Sequence, residues 1–148
     1  MIQSSVYARV GLVGNPSDGF YGKTISACIK NWQAVVTIEP DDDIVIIPNP
    51  TMDALHYDSL ADLVDHADKY GYYGALRLIN ATCSLFSKLT GIVSSGFRTT
   101  YTSSIPRQVG LGGSSALVVA LLNCLIEFHA YDKWSLADRA NVDRKSVV

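Results

Sequence analysis

The sequence is short of the residues that mark several classes of protein. Its 148 residues carry 12 Lys and Arg against 14 Asp and Glu, a formal net charge of −2, and the basic residues form no cluster. A nucleic-acid surface needs a basic patch or stripe, so no nucleic-acid partner is expected. Cysteine is scarce: Cys28, Cys83 and Cys124 are odd in number, far apart, and form no CxxC pair. That spacing argues against a disulfide framework or a zinc ribbon and suits reduced thiols in a cytoplasmic protein. Long apolar runs are missing too. The longest, residues 116–122, stops at Asn123, far short of the roughly 20 residues that cross a bilayer. The first residues show no basic start, apolar middle and small-residue cleavage site. The expectation is a soluble cytoplasmic chain with no membrane partner. At 48% hydrophobic and 18% charged, it has enough apolar material for the core of one domain.

What is present reads as strands and helices in mixture. Residues 6–13 alternate loosely and are rich in β-branched side chains, which predicts a strand ending at the loop Gly14-Asn15-Pro16-Ser17-Asp18-Gly19. Residues 24–29 form a second candidate strand. Residues 33–38 and 43–47 read as a strand pair joined by the turn of residues 39–42, and the acidic run Asp41-Asp42-Asp43 reads as a solvated turn rather than a metal site. Ser59-Leu60-Ala61-Asp62 resembles a capping box, followed by Leu60, Leu63, Val64 and Ala67 at helical spacing. Gly71 and Gly74 bracket a break, and residues 75–89 predict a helix with Leu76, Ile79, Cys83 and Phe86 on one stripe. Residues 97–101 are β-rich. Residues 114–128 are apolar almost all round, the mark of a helix buried on most sides. The fold class expected is α+β.

The chemistry concentrates just before that buried helix, in IPRQVGLGGSSA, residues 105–116. A helix start leaves four backbone N–H groups unpaired and carries partial positive charge, so it suits an anion, phosphate above all. Glycines upstream allow positive φ and close approach of the backbone to a ligand. Gly110, Gly112 and Gly113 fit that work; Ser114 and Ser115 are expected to cap the helix, with a hydroxyl able to reach phosphate or its metal. The motif is not GxxxxGK[ST], because no Lys follows, and not GxGxxG, because Ser115 stands at the third glycine position. A nucleophile elbow fits poorly: Pro106 and Arg107 replace the feeding strand, and the only later histidine, His129, lies on the same helix. The plain alternative is a Gly-rich turn into a capped helix.

Pro106-x-x-x-Gly110-Leu111-Gly112-Gly113-Ser114-Ser115-Ala116 resembles the phosphate-binding motif of the GHMP small-molecule kinases. Arg9-Val10-Gly11-Leu12-Val13-Gly14, followed by Asn15-Pro16-Ser17-Asp18, resembles that family's first motif. Asn15-Pro16-Ser17-Asp18, Tyr21-Gly22-Lys23-Thr24, Gly71-Tyr72-Tyr73-Gly74 and Ile105-Pro106-Arg107-Gln108 are similar to its glucuronokinase branch. The resemblance implies a GHMP kinase N-terminal domain, ribosomal protein S5 domain 2-like, with a mixed, mostly antiparallel sheet packed against helices. It implies ATP and Mg²⁺, with the γ-phosphate transferred to the anomeric hydroxyl of a sugar acid such as glucuronate.

By resemblance, Pro106, Gly110, Leu111, Gly112, Gly113, Ser114, Ser115 and Ala116 hold the nucleotide phosphates. Ser114 and Ser115 stand near the metal, and Arg9 and Ser114 serve catalysis. Asn15 and Asp18 meet the sugar; Lys23 and Arg107 are candidates for its carboxylate. Strand residues 44–49 are expected to line the base pocket. The family's catalytic Asp and its C-terminal Gly-rich motif have no counterpart in these residues. The expectation is therefore an incomplete N-terminal domain over residues 1–142, inactive alone, with residues 143–148 a non-native tail. Galacturonate, galactose or another polyol stays open as substrate, as does a nucleotide-binding module without turnover.

Overall fold

The computed structural model of the chain describes residues 1–15, 17–53, 59, 61, 64, 74–93 and 96–147. Alternation builds the sheet. Along β1 (Ile2–Val13), Ile2, Ser4, Val6 and Ala8 turn inward while Gln3, Ser5, Tyr7 and Arg9 stay outside, the period of two that a strand imposes. β2 (Ile25–Pro40) runs antiparallel to β1 and buries Ala34, Val36 and Ile38 completely. The pairing steps from Tyr7↔Gln33 to Ala8↔Ile29, which leaves Lys30, Asn31 and Trp32 as a bulge on β2. Residues 24–29 and 33–38 therefore belong to one bulged strand and not to two.

β3 (Ile44–Ile46) and β4 (Phe97–Ser103) complete a sheet of order β1-β2-β4-β3. β4 is antiparallel to β2 and parallel to β3, so the sheet is mixed. Residues 33–38 and 43–47 thus do not pair with each other as expected, because β4 lies between them. Packing explains the choice: β4 buries Phe97, Thr99 and Tyr101 and suits the centre, whereas short, half-exposed β3 suits an edge. The acidic run is the turn before β3, where Arg98 of β4 holds the Asp41 carboxylate at 2.9 Å.

Among the described residues three helices pack against one another: α1 (Ala75–Thr90), α2 (Gly113–Phe128) and α3 (Leu136–Val147). α2 lies on β1 and β2 and touches both other helices. Its fully buried Leu117, Leu121, Leu122 and Leu125 contribute about 1.5–3 kcal/mol each by leaving water. α1 buries Ala75, Ile79, Thr82 and Phe86, while Leu76 and Cys83 are only half-buried, so its inner stripe is turned slightly from the expected one. Phe86 gathers the rings of His129, Tyr131 and Trp134 at 5.6, 6.1 and 5.5 Å, tying the α2–α3 connection to α1. Ser135 and Asp138 cap α3 reciprocally: the Asp138 N–H donates to Ser135 Oγ at 3.3 Å, and the Ser135 N–H donates to Asp138 Oδ2 at 2.9 Å. α3 runs across the 142/143 boundary without a break, with Val142 buried. The helix expected from residue 60 falls mostly outside the described residues, as do Gly71, Tyr72 and Tyr73.

Candidate functional site

At the start of α2 the loop glycines set the geometry. Gly110 has φ +76° and Gly112 has φ +70°, both left-handed. Gly112 is the N-cap of α2, and no side chain caps the first turn. The first intrahelical bond runs from the Ala116 N–H to Gly112 O at 2.9 Å, so the amides of Gly113, Ser114 and Ser115 precede it. Ser114 and Ser115 are therefore inside the helix and are not its caps. A glycine in the cap position matters physically, because a serine there would cover the amides that this glycine leaves open. Ala116 also departs from its expected role: its amide closes the helix and its side chain is buried in the core.

These amides border a cleft of about 450 Å³ lined by Met52, Leu78, Pro106, Arg107, residues 110–115 and Leu117. That volume lies in the usual range for a small-molecule site. Residues 44–49 do not line it. The wall on that side is Thr51 and Met52, while Ile44 borders a separate small apolar pocket with Phe86 and Phe97.

A buried carboxylate sets the Thr51–Met52 wall. Asp53 is 6% exposed, and a charge so deeply buried needs several donors. The Tyr101 hydroxyl donates to Oδ2 at 2.5 Å, the Asn49 N–H to Oδ2 at 3.2 Å, and the Leu76 N–H to Oδ1 at 2.7 Å. The last bond caps α1 from outside, since the helix's own N-cap is Gly74. A Cβ on Gly74 would lie 2.2 Å from Asp53 Oδ1, so only glycine admits the carboxylate. Asn49 folds the same turn: its Oδ1 accepts from the Thr51 N–H at 3.0 Å and its Nδ2 donates to Tyr101 O at 2.8 Å. Burial and the neighbouring Asp53 carboxylate push the Tyr101 hydroxyl far above the ordinary tyrosine value.

On the opposite flank β1 meets the loop. The Arg9 N–H donates to Leu111 O at 2.9 Å, and the Arg9 guanidinium lies beside Gly112, within 3.8 Å of where a Cβ would stand. Asp143 of α3 reaches the same place. Burial raises its pKa, a hydrogen bond from Ser115 and the Arg9 charge lower it, and the first effect wins. Its Oδ1 is buried without a hydrogen-bond partner among the described residues.

β1 continues four residues past Arg9, roughly 13 Å, into the loop that carries Asn15. Gly14 (φ +83°) turns the chain there, and a Cβ on it would lie 2.2 Å from Lys23 O. Asn15 is exposed and folds back over Gly11. Asp18 lies in a short 3-10 helix, Ser17–Phe20, and its side chain falls outside the described residues. Lys23 is exposed. The fold thus joins Arg9, Gly112, Ser115 and Asp143 at one corner. Arg107 joins the cleft on the far side of the loop, while neither Asn15 nor Lys23 lines that cleft. Sequence reasoning missed the Asn49–Asp53–Tyr101 support, whose only local signal is an Asn four residues before an Asp in an irregular segment. It also missed the approach of Asp143, which depends on how α3 packs.

Residues 75–145 match the family model described as "GHMP kinases N terminal domain". The chain is 41% identical over 133 residues to "Glucuronokinase 1" of Arabidopsis thaliana, and 44% identical over 128 residues to "Probable glucuronokinase 2" of the same plant. These matches take in 86% and 83% of this chain but 37% and 35% of those proteins, so the chain spans little more than a third of their length. Among solved structures, a D-glycero-D-manno-heptose 1-phosphate kinase from Bacteriodes thetaiotaomicron superposes with a TM-score of 0.74. It is 21% identical and the match covers 99% of this chain and 47% of that one, a likeness of fold. The family model, the two plant relatives and the likeness of fold point the same way: residues 75–145 are similar to the N-terminal domain of the GHMP kinases.

Proposed function

We propose that this chain is the phosphate-binding part of an ATP-dependent sugar-acid 1-kinase, whose intact form transfers the γ-phosphate of ATP to the anomeric hydroxyl of glucuronate. One observation carries the reading: the uncapped amides of residues 113–115 border a cleft large enough for a nucleotide. The identity to two plant glucuronokinases supports a sugar acid as acceptor. No described helix is long and apolar enough to cross a membrane, and a cytoplasmic site of action belongs to the same proposal.

The residues present fit the nucleotide. Met52, Ala75, Leu78, Ile105 and Leu117 give the cleft an apolar wall suited to a base, and the loop amides give it an anion seat. They also fit a magnesium ion arriving with the phosphates. The described residues hold no cluster of three His, Cys, Asp or Glu. Magnesium needs none, because water and phosphate complete its shell. The Ser114 and Ser115 hydroxyls, on residues that line the cleft, are the groups that would face it. When bound, the ion neutralises charge on the phosphoryl group.

The chain's own groups do the rest by position. Amides of residues 113–115 orient phosphate oxygens without reorganising, since the helix behind them is rigid and buried. Arg9 holds a positive charge beside that seat, placed to stabilise the transferring group or to lower the acceptor hydroxyl's pKa. Asp18 would accept hydrogen bonds from sugar hydroxyls, and Asn15 and Lys23 are the other groups proposed for the sugar. The 148 residues alone are expected to bind nucleotide without turnover.

Calorimetric titration of the chain with ATP and Mg²⁺ tests this reading. Saturable binding, lost when Gly112 is replaced, supports it. No binding at millimolar ATP refutes it. ATP-dependent phosphorylation of glucuronate by the chain alone would overturn the expected inactivity. A second acceptor, galacturonate or galactose, would show as competition in the full-length protein.

A further inference from the structure

Arg107 is the only charged side chain among the described residues that line the cleft. It is half-buried, and its Nη2 donates to Thr51 O at 3.2 Å, which carries the guanidinium across from the loop to the opposite wall. The backbone fixes that reach. Pro106 precedes it, and Gln108 follows in the left-handed region at φ +59°, a conformation that costs energy for a residue with a Cβ. Neither Asn15 nor Lys23 lines this space. A guanidinium has five N–H donors in a rigid fork that matches phosphate, and its charge cannot be titrated away.

The geometry points to Arg107 as a nucleotide-reading residue: it contacts a non-transferred phosphate of ATP and not the carboxylate of the sugar acid. The loop amides seat one part of the polyphosphate, and Arg107, the one charged side chain among the described lining residues, supplies a full positive charge for another. Its Thr51 contact holds it at the wall beside the apolar base slot, so it senses whether a phosphate is attached to the nucleoside. The cleft should therefore favour ADP and ATP over adenosine, and Arg107 should account for much of that preference. This inference rests on the nucleotide reading of the cleft.

The test is a calorimetric comparison of ATP, ADP and adenosine on the wild-type chain, Arg107→Gln and Arg107→Lys. The expected result for Arg107→Gln is roughly tenfold weaker ADP and ATP binding, the size of one charged hydrogen bond, with adenosine unchanged. Arg107→Lys should recover part of the loss, because it keeps the charge and gives up the fork. Adenosine also reports that the variant is folded. An equal loss for adenosine and ADP would make Arg107 a structural clasp on Thr51 and overturn the inference, as would unchanged ADP affinity in Arg107→Gln with wild-type binding intact. Failure of the wild-type chain to bind ADP or ATP would overturn this inference together with the nucleotide reading.

Discussion

Replacing Asp53 by alanine removes the acceptor for three donors at once: the Tyr101 hydroxyl, the Asn49 amide and the Leu76 amide. A buried donor left without a partner costs about 1–3 kcal/mol. The Tyr101 hydroxyl is buried and takes the upper part of that range; the two amides are partly exposed and take the lower part. The sum is about 3–5 kcal/mol, a large share of the roughly 5–15 kcal/mol that holds a domain together. For 148 residues each kcal/mol moves the melting temperature by about 2–4 °C, so Asp53→Ala should melt roughly 10 °C lower. Circular dichroism through a thermal ramp at neutral pH measures this. Combining Asp53→Ala with Tyr101→Phe isolates the shared bond. In the Phe background the Asp53 loss should shrink by about 2–3 kcal/mol, because no hydroxyl is then stranded. A melt within about 2 °C of wild type, or strictly additive losses, would refute the claim that this carboxylate organises the wall of the cleft.

Alkaline pH should weaken the fold in two steps. Burial pushes Cys83 and Cys124 up to about 11, and Tyr101 is raised above its ordinary value near 10. Each group favours its neutral form in the folded chain, so its contribution is complete below its unfolded pKa and is lost as pH rises through the folded one. Urea unfolding should lose free energy from about pH 9 upward, and Tyr101→Phe should remove the part that begins near pH 10. Gly110→Ala and Gly112→Ala should each cost about 1–2 kcal/mol of backbone strain, since both glycines are left-handed. Only Gly112→Ala sets a methyl among the loop amides, between the helix start and Arg9, so its ATP affinity should fall further than that of Gly110→Ala in the same titration. Gln108→Gly should relieve left-handed strain and stabilise the chain by about 0.5–1 kcal/mol, read from the urea midpoint.

Periodicity made the long elements readable. α2 was legible because nearly every side chain after Ser115 is apolar, and β1 and β4 because alternate residues are. The glycine loop was legible because its chemistry is local: three glycines and two serines at a helix start. Neighbours in the sheet were not legible. β4 enters between β2 and β3 from more than fifty residues away in sequence, and nothing within residues 33–47 reports it. The bulge at Lys30, Asn31 and Trp32 reads as a break, since extra residues and a chain end look alike on paper. The serines of the loop suggested caps by their type; the left-handed Gly112 took the position because its backbone has no Cβ to clash. The Asp53 support escaped for a similar reason, as its partners come from β4 and α1.

The bond from the Arg9 amide to Leu111 has one more effect. β1 is the outermost strand of the sheet, and an unpaired flank of this kind invites a strand from another molecule to add on. By sitting on that flank, the glycine loop acts as a guard against fibre-like growth. A lesion that dislodges it should therefore announce itself twice, as lost ligand and as turbidity.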